Sequence, residues 1–197
     1  AMYRAITWFI LQEKIDPKND AGISKVLTDL EVDFQTFNNG NQKVLINSED
    51  ITHFIRSPEV TEIVSIIAAK HSVREKLTKQ QQKLGALGGL VAEGRDIGTA
   101  VFPDAELKVF LTATPKERAK RRSIDLKEKG FPVPNLVELE RQIINRDSLD
   151  SNREIAPLLK AKDAKELITD GMNVQEVVET LIELFRIEVP EEAWPNP

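Results

Sequence analysis

Four residues, Gly94-Arg95-Asp96-Ile97, closed by Gly98, place a guanidinium next to a carboxylate inside a glycine-bounded turn. Arg95 offers a planar fork of donors suited to phosphate oxygens, whereas ionised Asp96 offers only acceptors. Donors for a phosphate beside an acceptor for an exocyclic amine suit a nucleotide with an amine-bearing base. Gly94 and Gly98 are expected to supply sharp backbone geometry. The rival reading is that Arg95 and Asp96 simply pair with each other or cap a helix.

Three other groups could join this chemistry. Arg146, Asp150 and Arg153 stand at i, i+4 and i+7 and share one face if a helix continues through all three; Asp150 then suits ribose hydroxyls and the arginines suit phosphate. The plain alternative is a solvated face with an ion pair worth only ~0.3–0.5 kcal/mol. Lys116, Arg118, Lys120, Arg121 and Arg122 put five cations into seven residues at the start of a helix. Cations there oppose the helix dipole, so helix stability does not explain them. They read either as solvated surface or as a mobile lid whose arginines close on phosphates. Ser65, Arg74, His53 and His71 look ordinary in their local sequence.

The elements that must position these groups follow from caps and periodicity. Ala1 to Ile10 reads as helix from its first residue, without a preceding cap, so the chain is expected to begin inside a structural element. Asp16 to Asp20 is a breaker cluster, residues 21 to 30 a short helix, and residues 32 to 47 a hairpin turning at Asn38-Asn39-Gly40-Asn41. Ser57-Pro58 starts a helix with the stripe Val60, Ile63, Val64 and Ile67. Ser72 with Glu75 predicts a capping box for a helix carrying Val73, Leu77 and Leu84. Leu90-Val91-Ala92 reads as a short buried strand entering the glycine turn, and Leu107 to Leu111 as the next strand. Thr114-Pro115-Lys116-Glu117 combines cap, proline and capping-box glutamate, opening a helix that ends near Gly130. Asn135 with Glu138 caps another. Leu167-Ile168-Thr169 reads as a last strand, and Val174, Val177, Val178, Leu181, Ile182 and Phe185 as the stripe of a closing helix. Strands alternating with amphipathic helices imply an α/β protein with a largely parallel sheet.

Composition narrows the function class. The 197 residues, 41% hydrophobic and 30% charged, suit one folded domain with a small appended lobe. A net charge of −5 argues against bulk binding to nucleic acid or anionic membrane, so an anion site must be a local basic pocket. No apolar run approaches the ~20 residues of a membrane span. Without cysteine there is no thiolate nucleophile or thiolate metal site, and a cytoplasmic location is the simplest fit.

The stretch Glu93-Gly94-Arg95-Asp96-Ile97-Gly98-Thr99-Ala100-Val101-Phe102-Pro103-Asp104-Ala105-Glu106-Leu107-Lys108-Val109 closely resembles the signature of bacterial cytidylate kinases. The resemblance runs from Ala1 to residue 187: Ala1-Met2-Tyr3-Arg4 resembles the end of a Ser/Thr-Gly-Ala-hydrophobic-Tyr-Arg segment, and the hairpin with Ile55-Arg56-Ser57-Pro58-Glu59-Val60 resembles an insertion that enlarges the monophosphate-binding lobe. It implies a P-loop nucleoside-monophosphate-kinase fold, a parallel sheet flanked by helices. Residues 1–187 form the kinase domain, about 30–75 the β-containing CMP-binding insertion, about 116–150 an α-helical lid, and 188–197 a loose tail. The implied activity is transfer of the γ-phosphoryl group of ATP, with Mg2+, to CMP or dCMP. Ser65, Arg74 and Asp96 would read cytosine, Arg146 and Asp150 would hold the ribose, Arg4, Arg95 and Arg153 would surround the phosphate, and Arg118, Arg121 and Arg122 would be the lid arginines. Of these, Arg95, Arg153, Arg118 and Arg121 would assist the chemical step.

Two departures stand out. Asp170-Gly171 occupies a position where the family usually has aspartate followed by hydroxyl residues. Nor does G-x-x-x-x-G-K-[ST], the phosphate loop of these kinases, occur in these residues, and no metal ligand is expected among them. The chain therefore reads as an N-terminally truncated or incompletely recorded kinase domain, without the first strand, phosphate loop and first helix, in keeping with a piece of a longer polypeptide such as relatives fused behind a pantothenate synthetase. It is expected to act as a monomer. The rivals are a catalytically silent CMP-binding module and a monophosphate kinase for another base.

Overall fold

The computed structural model describes residues 1–37, 42–86 and 88–193, and the chain divides into two compact units, Ala1–Gln81 and Gln82–Pro197. The expected turn at Asn38 to Asn41 lies outside the described residues, as does the end of the tail.

The first unit is built on α1 (Met2–Gln12), whose N-cap Ala1 makes no side-chain cap hydrogen bond. Met2, Ala5, Ile6 and Ile10 recur at helical spacing and are buried. Buried Thr7 is satisfied by donating its hydroxyl to the Tyr3 carbonyl at 2.8 Å. Asn19 caps α2 (Asp20–Leu27) by accepting from the Gly22 amide. Strands β1 (Val32–Thr36) and β2 (Gln42–Ile46) pair antiparallel with Val32 opposite Ile46 and Phe34 opposite Val44. That register aims Val32, Val44 and Ile46 inward. Asn47 and Ser48 turn the chain with positive φ of 46° and 72° into β3 (Glu49–Asp50). Two hydrogen bonds from Thr52 hold the Asp50 carboxyl well below its usual range, at about 2.

Ser57 caps α3 (Pro58–Ala68) as its sequence predicts. Helix α4 (His71–Gly85) starts one residue before the expected cap: Ser72 lies inside the first turn, where the Arg74 amide already bonds the Lys70 carbonyl. Val73 and Leu77 are buried, whereas Leu84 is exposed. Ile6, Ile10, Ile23, Leu30, Ile51, Ile67 and Leu77 form the fully buried centre of this unit.

In the second unit, β4 (Val109–Thr112) and β5 (Lys165–Ile168) pair in parallel, Val109 opposite Lys165 and Thr112 opposite Ile168. A parallel pair needs a long crossover, here α5 (Pro115–Glu128) and α6 (Leu136–Asn152), packed on each other through Ala119, Leu126 and Leu139 with Phe131 and Ile143. The fold is thus mixed α/β with one parallel pair and one antiparallel sheet.

Three expectations need correction here. Leu90-Val91-Ala92 is not a strand, and Val91 is 98% exposed; an apolar run becomes a strand only where a neighbouring edge takes its amides, and no ladder among the described residues reaches it. The stripe of α7 (Val174–Glu188) forms the closing helix but contributes no buried residue; among the described residues the parallel sheet of this unit has two strands, and its own Leu111 and Ile168 remain exposed. Asn173 nonetheless closes a full capping box with Glu176. At Thr114 the box is half made: the hydroxyl accepts from the Glu117 amide, but Thr114's own amide goes to Asp170 at 2.9 Å, and Glu117 turns to Arg121 and Lys120.

No described helix is long and apolar enough to cross a membrane. Ile6→Ala, which empties a fully buried position in α1, is expected to lower stability by ~2–5 kcal/mol, read from urea midpoints at constant slope; a loss below ~1 kcal/mol would contradict the placement of the first unit's core.

Candidate functional site

Asp96 ends the glycine turn and precedes a single π-helical turn, Ile97–Val101. Its carbonyl accepts from the amides of Thr99, Ala100 and Val101, at 3.3, 2.9 and 3.3 Å. The side chain makes no cap bond. The π-helical turn is thus anchored by the Asp96 carbonyl rather than by its carboxylate. Neither Gly94 nor Gly98 has positive φ. Space demands glycine instead: a Cβ at 94 would lie 2.7 Å from Ile97, and one at 98 would lie 3.2 Å from Lys108.

Helix α6 delivers the partners. It ends at Asn152, so Arg153 is the C-cap in extended geometry rather than a continuation of the helix. The three residues still converge. Asp150, buried, receives Arg95 Nε at 3.2 Å, with Arg146 Nε at 3.8 Å and an Arg153 terminal nitrogen at 3.8 Å. The other terminal nitrogen of Arg153 lies 3.6 Å from Asp96 Oδ1. Arg95 thus pairs with Asp150, not with its neighbour Asp96. Arg153 also donates to the carbonyl of Ala156, a non-glycine residue at φ +46°, and the Leu158 amide closes this loop onto the Asp150 carbonyl at 2.8 Å.

Counting Arg118 and Asp147, which also act on Arg146, four guanidiniums stand against three carboxylates, so these named groups carry one positive charge in excess. Arg146 records it: burial first, then repulsion from Arg95, pulls its pKa down to about 10, only partly offset by Asp150 and Asp147. Its buried Nε has no hydrogen-bond partner among the described residues. An orphaned charged donor among clustered arginines has the chemistry to accept an anion.

The cation run on α5 is spent differently at each position. Arg118 forms a bidentate pair with Asp147 of α6, one arm at 2.9 Å. Arg121 bonds Glu117 at 3.1 Å and the Thr169 hydroxyl at 2.9 Å, and reaches the carbonyls of Thr169 and Met172. Arg122 bonds Asp125 at 2.9 Å. Asp170, bonded by the amide and hydroxyl of Thr114, is held below the usual carboxylate range and ties the start of α5 to the end of β5.

In the first unit, Arg4 donates to the Ile55 carbonyl and the Thr61 hydroxyl, both at 2.9 Å. Arg74 is buried, donates to the Ala68 carbonyl at 3.0 Å, and lies 5.2 Å over the ring of Tyr3. Ser65 is buried on α3. Burying a serine and an arginine is costly without a purpose, a signal their local sequence does not carry. Thr61, Asp147 and Thr169, which meet Arg4, Arg118 and Arg121, are not singled out by the sequence. For Asp147 a signal existed, since it adjoins Arg146 and precedes Asp150 by one helical turn.

A family model described as Cytidylate kinase matches residues 1–187. Proteins named bifunctional pantoate ligase/cytidylate kinase are similar along the chain: one from Prochlorococcus marinus is 66% identical over 196 residues, another from a second strain of that species 60% over 197, and one from Parasynechococcus marenigrum 56% over 197. Each comparison covers 100% of this chain but 38%, 40% and 39% of the respective relative, so the chain spans about two-fifths of the length of the curated relatives it matches.

Asp150→Asn, which leaves three guanidiniums without their shared counter-charge, is expected to cost ~3–5 kcal/mol of stability in urea denaturation; an unchanged midpoint would show that Asp150 does not hold the cluster. Affinity for inorganic phosphate, measured by calorimetric titration, is expected to fall as pH rises past about 10, because the anion binds protonated Arg146 and the free protein loses that proton there. An ordinary arginine stays charged throughout that range, so a flat profile up to pH ~11 would contradict the depressed pKa.

Proposed function

Because the chain belongs to the cytidylate kinase family, we propose that it carries the acceptor side of an ATP:CMP phosphotransferase, converting CMP or dCMP to CDP or dCDP with release of ADP. The observation that carries this reading is the net-positive cluster around Asp150, with the orphaned Nε of Arg146, set beside the buried carboxylate of Asp96.

The chemistry divides among named groups. A phosphate monoester entering the cluster brings the negative charge that Arg95, Arg146 and Arg153 lack, while Asp150 offers acceptors to ribose hydroxyls. Asp96 accepts from the exocyclic amine of cytosine; uracil presents a carbonyl there, and a buried carboxylate facing it costs ~1–3 kcal/mol. Ser65 and Arg74 are buried in the first unit, and the family resemblance gives them a share in reading the base and Arg4 a share in binding the phosphate. A CMP phosphate oxygen then attacks the γ-phosphorus of ATP in line, and because that oxygen is already anionic no strong general base is required. Arg118, Arg121 and Arg122 act as the lid that neutralises charge and excludes water, within a lid region of about 116–150; residues of about 30–75 form the lobe that receives CMP.

Among the described residues no three His, Asp or Glu side chains gather as a metal-ligand cluster. Mg2+ is expected to arrive bound to the phosphates of ATP. The relatives' name pairs this activity with pantoate ligase, and the chain is proposed to work within such a two-function cytoplasmic polypeptide, its kinase domain monomeric.

The test is a coupled assay of ADP release in the intact polypeptide with CMP, dCMP, UMP and AMP. CMP and dCMP are expected to be preferred, and Asp96→Ala to cut the kcat/KM preference for CMP over UMP by about one to two orders of magnitude. Equal use of UMP by the parent protein, or unchanged selectivity in the variant, would overturn the assignment.

A further inference from the structure

We propose that Asp147 is a positioning residue for phosphoryl transfer: its carboxylate grips Arg118 of α5 through both oxygens and holds that guanidinium beside the arginine cluster rooted in the same helix, α6. The inference rests on reading the site as a phosphotransferase centre. Arg118 lies in the second turn of α5, where the helix dipole opposes a cation and gives it no reason to stay. A long arginine on a helix surface samples many rotamers. The fork-to-fork pair with Asp147 removes that freedom, because two parallel N–H···O contacts fix the plane of the guanidinium as well as its distance.

The pair is electrostatically linked to the site through Arg146. Asp147 adjoins Arg146 and stands three residues before Asp150, and Arg118 and Asp147 both act electrostatically on Arg146, the first lowering and the second raising its pKa. Arg118 is therefore within reach of the charge that enters the cluster. Its side chain keeps 32% exposure, and two of its five N–H groups serve Asp147, so others remain to meet a transferring phosphoryl group.

Nor is the pair what holds the helices together. Ala119, Leu126 and Leu139 are buried between α5 and α6, flanked by Phe131 and Ile143. This apolar contact makes the helix pair a rigid mount, and the ion pair aims one side chain on it. Asp147 itself repels an incoming phosphate, so its contribution runs through Arg118.

The experiment is a double-mutant cycle in the intact polypeptide, with kcat and KM for CMP and ATP measured for the parent, Asp147→Asn, Asp147→Glu, Arg118→Ala and the Arg118→Ala/Asp147→Asn double variant. Asp147→Asn is expected to lower kcat about tenfold to 100-fold with KM for CMP within about twofold, and Asp147→Glu to recover most of the loss. In the Arg118→Ala background the same change is expected to cost nothing further. Independent, additive losses, or an effect confined to KM for CMP, would overturn the inference by showing that Asp147 acts through Arg146 or through stability. A parent protein that releases no ADP with CMP overturns the function reading itself, and is told apart because the parent is then inactive.

Discussion

The second unit's chemistry depends on one buried carboxylate. Asp150 gathers Arg95, Arg146 and Arg153, whose mutual repulsion would otherwise scatter them. One carboxylate is shared among three guanidiniums: Arg95 bonds it at 3.2 Å, and Arg146 and Arg153 each bring a nitrogen to 3.8 Å. The cluster is therefore assembled but under-neutralised, which is the state an anion-binding site needs before its ligand arrives. A charge-balanced cluster would be more stable and would bind phosphate less well.

The surrounding fold makes that arrangement possible. Asp150 sits in the last turn of α6, and the helix stops at Asn152 just soon enough for Arg153 to bend back between Asp150 and Asp96. The π-helical turn after Asp96 consumes its carbonyl, so the side chain is aimed by backbone geometry rather than by a competing cap. The apolar seam between α5 and α6 fixes the cation-bearing helix against the helix that carries the cluster. Each device is local, yet together they bring residues 55 apart in sequence to one carboxylate.

What could be read in the sequence was what local chemistry determines. Ser57-Pro58, Thr114-Pro115, Asn135 and Asn173 start helices because a side-chain oxygen meets an amide two or three residues on, and no distant partner can remove that advantage. The convergence of Arg146, Asp150 and Arg153 was visible as helical spacing, although the helix ends one residue too early for the simple form of the argument. What could not be read depends on partners elsewhere. Leu90 to Ala92 has the composition of a strand and no edge to pair with. Glu117 has the position of a capping-box residue, but Asp170 takes the amide it would have capped. The glycines at 94 and 98 serve tight packing against Ile97 and Lys108 instead of unusual dihedrals. Ser65 and Arg74 gain meaning from burial, which single-chain periodicity does not assign to polar residues, and the Arg118–Asp147 pair spans two helices.

The central claim is that surplus positive charge around Asp150 is there to receive a phosphate. Calorimetric titration of the intact polypeptide with CMP and with cytidine tests it most directly, since the two ligands differ only in the phosphate. CMP is expected to bind about 100-fold tighter or more, as for several charge-assisted hydrogen bonds. Equal affinities would contradict the proposed role, because the cluster would then contribute nothing to recognition of the phosphate.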